Sequence, residues 1–216
     1  MNPKEVRMYI VVNSDQMESD LIRIIAQTVA RQVLFIEQND PDNELYREWK
    51  FNLYPKIVTE LPHKCFSRLL DSTITLDPSG SVAVFSPLRY KNRPPLLKRA
   101  KLLRDDLRIT LGSRPERGRS VIDIDFNQDV KMSVGKLSAQ VAHSLSNMVE
   151  YLAQSYPEIL EEWAKGGYAL ILNGRPASEL AQLIKTPRCV WTVDAGRTEI
   201  PSGTLTTVAY FPKYML

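Results

Sequence analysis

Of the 216 residues, 44% are hydrophobic and 25% charged, which excludes a disordered or fibrous chain and leaves room for one large domain or two small ones. The net charge is only +3, yet residues 87–120 hold eleven Lys/Arg and three acids, a local balance of +8 that leaves −5 for the remainder. The opening MNPKEVRMYIVV lacks a secretory pattern, and no apolar run approaches the ~18 residues of a membrane span. Cys65 and Cys189 are too few for a disulfide framework and read as buried free thiols, as in a soluble protein of a reducing, cytoplasmic compartment. Two distant histidines without a CxxC argue against zinc, and there is no GxSxG, P-loop or GxGxxG.

Along the chain, the apolar segment YIVVNSD (9–15) predicts a strand, followed by a long helix and a second helix through REWKF (47–51). A strand, a short helix opened by Pro62, and two strands in TLDPSGSVAVFSPLRY (75–90) complete the first half. The basic belt reads as a helix started by Pro94-Pro95 and stopped before Gly112, with Leu96, Ala100, Leu103, Leu107 and Leu111 as its apolar stripe. Lys98, Arg99, Lys101, Arg104 and Arg108 occupy the rest of its circumference. That face is either the solvated side of a docked connecting helix or a contact for RNA phosphates.

The same plan then repeats. Trp49/Trp163, Tyr54/Tyr168, Pro62/Pro176 and Leu69/Leu183 are each 114 residues apart, as are Asn13/Asn127 and Asp15/Asp129. Arg23-Ile-Ile-Ala-Gln27 meets Lys136-Leu-Ser-Ala-Gln140 at 113. Two copies are expected, residues 1–90 and 119–216, joined by the connector 91–118. In the second, Leu137, Val141, Leu145, Met148 and Leu152 form a helical stripe that should face a sheet, with Ser133 as N-cap and Tyr156-Pro157 as the break before a helix ending near Gly166-Gly167. Pro176 opens the short helix ASELAQLI between strands YALILN and CVWTVD. Strands alternating with helices predict tandem α/β layered units around a partly parallel sheet.

Two segments carry chemistry. Lys136, Gln140 and His143 stand at i, i+4 and i+7 and share one helical face near a helix start, where a cation and free backbone N–H groups suit an anion. The bland alternative is a solvated face. Asp194-Ala-Gly-Arg-Thr198 follows an apolar strand, so its groups stand at the strand's carboxyl end, where α/β proteins bind ligands; alternatively, Asp194 only caps its own turn.

Together, Asp129-Val-Lys-Met132, Gly135-Lys136, Ala139-Gln140, His143, Asp194-Ala-Gly-Arg-Thr198 and Ser202-Gly203-Thr204 resemble the type 2 peptidyl-tRNA hydrolases of archaea and eukaryotes, over almost the whole second copy. The resemblance implies an esterase that frees tRNA from a stranded peptide, built on a four-stranded mixed sheet covered by helices, without a cofactor or essential metal. Its functional positions carry over as Lys136, His143, Asp194 and Thr198 for catalysis and Gln140, Arg197, Ser202 and Thr204 for substrate, with Lys98, Arg99 and Lys101 of the belt as RNA contacts. Asp194 or His143 would activate water, Lys136 would balance negative charge, and Gln140 and Thr198 would position substrate. The family commonly forms homodimers, so the two copies are expected to make an intramolecular pseudo-dimer, with pairing of whole chains as a further expectation.

Departures from the pattern are as informative. Asp123 and Asp125 lie on one face of a strand the family keeps apolar, so Asp125 needs a cation, a hydrogen bond or water; Asn127 stands where the family often has Arg. The first copy has Arg23 for Lys136, Gln27 for Gln140, Ala30 or Arg31 for His143, and Asp77 followed at once by Pro78-Ser79-Gly80 for Asp194. It should fold without catalysing. His63, matched to Ala177, reads as a surface residue. Other readings are a non-catalytic RNA- or protein-binding module on the same fold, or a hydrolase of another ester or amide. Convergence of Lys136, His143, Asp194 and Thr198 on one cleft would favour the enzyme; Asp125 or an aromatic ring filling it would favour the module.

Overall fold

In a computed structural model, which describes residues 5–17, 20–69, 74–103, 120–196 and 198–211, strands and helices alternate. In chain order they are β1 (Val6–Asn13), α1 (Leu21–Asn39), α2 (Glu44–Phe51), β2 (Lys56–Leu61), α3 (His63–Phe66), β3 (Ile74–Leu76), β4 (Val82–Phe85), β5 (Leu88–Arg89), α4 (Pro95–Arg99) and β6 (Lys101–Leu102). Then follow β7 (Ile122–Asn127), α5 (Val134–Ser155), α6 (Pro157–Lys165), β8 (Leu170–Arg175), α7 (Ala177–Leu183), β9 (Cys189–Val193) and β10 (Leu205–Tyr210).

The strands form two mixed sheets. The first runs β3-β4-β1-β2-β6, with β5 also paired to β1; the second runs β8-β7-β10-β9. Each contains one parallel pair, β1 with β2 and β7 with β8, and the registers match: Met8 faces Lys56 and Ile122 faces Leu170, both 114 residues on. Local bonds recur at the same spacing. The Trp49 indole donates to the Pro55 carbonyl at 2.8 Å, and Trp163 to Ala169 at 2.7 Å. Asp15 accepts the His63 N–H and Asp129 the Ala177 N–H, fastening the start of α3 and of α7.

The long helices α1 and α5 pack against each other between the sheets. One continuous buried cluster therefore takes Val6, Met8, Ile10 and Val12 from β1, Ile122 and Ile124 from β7, and all five predicted stripe residues of α5. Alternation sends Tyr9 and Val11 to the other face of the first sheet, under Phe66 and Leu97. Ser133 caps α5 by accepting the Lys136 N–H at 3.2 Å, and Pro157 opens α6. Both cysteines are free, but half-buried rather than buried.

Two expectations are corrected. The basic belt is not one helix: α4 ends at Arg99, Ala100 is extended, and Lys101-Leu102 join the first sheet as β6, with Glu60 facing Lys101 and the Leu103 N–H donating to Val58. An open edge of β2 offers unpaired backbone groups, and pairing with them while burying Leu103 outweighs one more helical turn. The rest of that predicted helix, including Arg104, Leu107, Arg108 and Leu111, lies outside the described residues. The first sheet has six strands rather than four, because β6 joins β2 and β5 joins β1.

Candidate active site

At the carboxyl end of β9 the chain loops out and returns as β10. Asp194 closes this loop through its backbone, its N–H donating to Thr204 and its carbonyl accepting from Gly203, both at 2.9 Å. Gly196 has φ +72°, and a Cβ there would come within 2.7 Å of the Ser202 Cβ, so only glycine fits the turn. Its N–H donates to Asp194 Oδ1 at 2.7 Å. The turn-capping reading of Asp194 is thus correct for one of its oxygens.

The other oxygen faces α5. Lys136 Nζ donates to Asp194 Oδ2 and, at 2.9 Å, to Thr198 Oγ1; Gln140 Nε2 donates to the same Oδ2 at 2.8 Å. Gln140 is held in turn by Thr206, whose hydroxyl donates to Oε1 at 2.8 Å. Thr206 reaches it because β10 shifts register against β9 between Leu205 and Thr207, so two successive threonines face the helix. One turn further along α5, Ser144 bonds Thr192 and Thr207 at 2.7 and 2.6 Å. Asp194 is only 5% exposed and Gln140 7%, whereas Thr198 is exposed, so the cluster opens to solvent on the Thr198 side.

The helix start is held from two sides. Glu199 accepts from the Ser133 N–H at 2.9 Å and from its hydroxyl at 2.7 Å, tying the loop to the N-cap one residue after Thr198. From the other side, Leu103 of the belt lies so close to Gly135 that a Cβ there would overlap the Leu103 carbonyl. The first sheet's edge therefore abuts the residue preceding Lys136, and exposed Lys98, Arg99 and Lys101 precede that contact.

An ammonium has three hydrogens, and Lys136 uses two, on Asp194 and Thr198. Thr198 accepts that bond and retains its own O–H. A carboxylate offers about four acceptor positions; among the described residues three donors reach Asp194, which leaves one position on Oδ1. Two donors and one acceptor thus stand together, a pair able to hold a developing oxyanion beside a group able to take a proton from water.

His143 does not join this cluster. Its ring packs on Tyr54 of the first half, 5.4 Å between centroids, and burial together with the positive charges of Lys56 and Lys136 pushes its pKa down to about 3. Seven residues carry it two turns past Lys136, onto the seam between the halves. Arg197 lies outside the described residues, Ser202 is exposed, and the Thr204 hydroxyl donates to the Pro201 carbonyl at 2.8 Å. Asp125, fully buried, takes Arg175 Nε, Asn173 at 2.8 Å and the Tyr210 hydroxyl at 3.1 Å. It lies on the far face of the sheet, opposite Val208 and under α7, and leaves the cluster unfilled. Glu199, Thr206 and the Ser144–Thr192 pair were not foreseen: nothing in sequence marks a strand bulge or a carboxylate reaching back across 66 residues.

The first half lacks the arrangement. Arg23 pairs with Asp20, and Gln27 donates to the Tyr168 carbonyl at 3.0 Å. The sequence match of Asp77 to Asp194 is off by two residues: Asp77 pairs with Val82 as Thr192 pairs with Thr207, because this hairpin turns back sooner. Both Asp77 oxygens serve that turn, accepting from Val82, Ser79 and Ser81. His63 is exposed, as expected.

Among the described residues no three His, Cys, Asp or Glu side chains gather as a metal site, and no helix is long and apolar enough to cross a membrane. A family model described as peptidyl-tRNA hydrolase PTH2 matches residues 124–215. A peptidyl-tRNA hydrolase of Staphylothermus marinus is 37% identical over 90 residues, 39% of this chain and 74% of that protein. One of Thermococcus onnurineus is 34% identical over 94 residues, 40% and 79% of the two chains. The mitochondrial peptidyl-tRNA hydrolase 2 of Bos taurus is 28% identical over 103 residues, 45% of this chain and 58% of that protein.

Proposed function

The chain belongs to the peptidyl-tRNA hydrolase PTH2 family, a family of hydrolases, and from that premise we propose that it cleaves the ester between a peptide and the terminal ribose of tRNA. The observation that carries this reading is the meeting of Lys136, Gln140, Asp194 and Thr198, contributed by a helix and a loop 54 to 62 residues apart, with donors and an acceptor left over. In the reaction, the free acceptor position of Asp194 takes a proton from the attacking water. The third N–H of Lys136 and the hydroxyl of Thr198 hold the carbonyl oxygen as it gains charge. Gln140 acts through Asp194 rather than on substrate, since its amide is buried and held at both ends. His143 acts at the seam, where a neutral imidazole offers one N–H.

The first half is, on this reading, a degenerate copy that forms an intramolecular pseudo-dimer with the active one. Matching registers and the recurrence of the Trp and Asp bonds support it. The exposed cations Lys98, Arg99 and Lys101 would contact tRNA phosphates, Ser202 and Thr204 would line the loop side, and Arg197 would contact substrate as the family pattern implies. The same reading puts the protein in the cytoplasm, where translation strands peptidyl-tRNA. Pairing of whole chains is decided by the molar mass in solution.

Release of N-blocked amino acid from N-blocked aminoacyl-tRNA tests the reading, with turnover expected for wild type and lost in Asp194→Ala. A wild-type protein that binds tRNA without turnover would instead be the binding module. Charge reversal at Lys98, Arg99 and Lys101 should weaken tRNA binding and flatten its salt dependence by roughly 0.7–0.9 log unit for each phosphate that is no longer neutralised. An unchanged slope would leave the belt as a connector only.

A further inference from the structure

The seam beside the candidate active site contains an unneutralised lysine. Lys56 opens β2 and points to the helix side of the first sheet, the side on which α5 lies. Its Nζ sits over the rings of Trp49 and Tyr54, at 4.7 and 5.4 Å, and donates to the Tyr54 carbonyl at 3.3 Å. Among the described residues no carboxylate pairs with it. The nearby Glu150 is engaged by Lys50 at 2.6 Å and by the Tyr54 hydroxyl. Burial accordingly pushes the Lys56 pKa well below its ordinary value. His143 packs on the same Tyr54 ring, so Lys56 and the imidazole meet at one aromatic side chain, and the charges of Lys56 and Lys136 both lower the His143 pKa.

The mirror seam makes the lysine stand out. There Tyr168 takes the place of Tyr54, with the Arg31 guanidinium 5.0 Å from its ring and Gln27 on its carbonyl. The residue 114 on from Lys56 is Leu170, a core side chain 1% exposed. A lysine where the other half has a buried leucine costs desolvation that two ring faces and one carbonyl offset only in part, and it stands on the seam that adjoins Lys136.

We propose that this seam is a phosphate subsite, in which Lys56 of the first half and the imidazole N–H of His143 hold a backbone phosphate of the RNA strand whose terminal ester lies at Lys136 and Asp194. The assignment rests on the hydrolase reading for the position of that ester, and on the seam's own chemistry for the phosphate. The first half then has a part in binding although it lacks a catalytic cluster. Its sheet brings the cation, and α5 brings the imidazole about 10 Å along the helix from Lys136.

Two measurements test it. In Lys56→Met, which keeps the stem over Trp49, the affinity for deacylated tRNA should fall several-fold and the slope of log K against log salt should flatten by ~0.7–0.9. Lys56→Arg should restore the slope. On N-blocked aminoacyl-tRNA the Met variant should show its loss in KM rather than kcat. In the wild-type protein, acetylation of Lys56 followed by mass spectrometry should slow several-fold when deacylated tRNA is added, a readout that needs no variant to fold. Full Lys56 reactivity with tRNA bound, or an unchanged salt slope in a folded Met variant, overturns the subsite. Absence of turnover in wild type overturns the hydrolase reading instead and leaves the footprint to decide this one.

Discussion

The two halves share strand order, register and even the bonds of their buried tryptophans, yet among the described residues the Lys-Gln-Asp-Thr cluster forms in the second half alone. In the second half, Lys136 and Gln140 converge with Thr198 on or about Asp194; in the first, Arg23 turns to Asp20, Gln27 crosses to the other half, and Asp77 is consumed by its own turn. The cause is local. β3 turns back two residues before its counterpart, so the first half has no loop long enough to carry a carboxylate past the strand end and over the helix start. A shared core therefore stands with or without the cluster, because the core depends on the strand and helix stripes and the cluster on the excursion between β9 and β10.

The sharpest way to break this contrast is to remove the two aspartates in turn. Asp194→Ala is expected to lower kcat/KM on N-blocked aminoacyl-tRNA about 10³-fold, roughly 4 kcal/mol of transition-state stabilisation. Asp77→Ala should leave turnover within twofold and cost only stability, since it strands the donors of one turn. Equal losses in both would mean that the halves are not divided as described.

Next in size is the junction between the halves. Gly135→Ala drives a methyl into the Leu103 carbonyl, with no flexible side-chain end to yield, and should cost about 2–3 kcal/mol in urea unfolding. A wild-type midpoint would show that the belt does not rest on α5.

His143 gives the seam a pH signature. Its folded pKa is pushed down to about 3 from an ordinary 6.5, so below 6.5 the unfolded chain binds the extra proton and the folded one does not. Its contribution is complete above 6.5 and is lost as pH falls toward 3, at up to about 1.4 kcal/mol per pH unit. Stability measured from pH 6.5 to 5 should fall more steeply in wild type than in His143→Gln; parallel curves would remove His143 from the seam.

The smallest effect is expected at Glu199, which has no counterpart in the shorter hairpin. Glu199→Ala should lower kcat about tenfold by freeing Thr198 from the helix start, and Glu199→Gln, which keeps one acceptor for Ser133, should recover part of it. Identical kinetics in the two variants would leave the tie without a role in positioning.

Much of this was readable before folding. The 114-residue spacing anticipated matching registers; the Leu137–Leu152 stripe, the Ser133 cap and the Pro157 break placed α5 and α6; and the family resemblance of two short segments, rather than spacing, singled out Lys136, Gln140, Asp194 and Thr198. These follow from rules local to a few turns or to a recurring pattern, which a chain carries in its order alone. The belt misled because its leucines fit a helix as well as they fit an edge strand, and only the open side of β2 decided between them. Likewise the face of α5 held Lys136, Gln140 and His143 alike, but the sheet it crosses drew two to Asp194 and left the third on Tyr54. Which groups meet is set by what lies across from them, and for Lys56, Glu199 and Thr206 that neighbour is far away in sequence and brought close only by the packed halves.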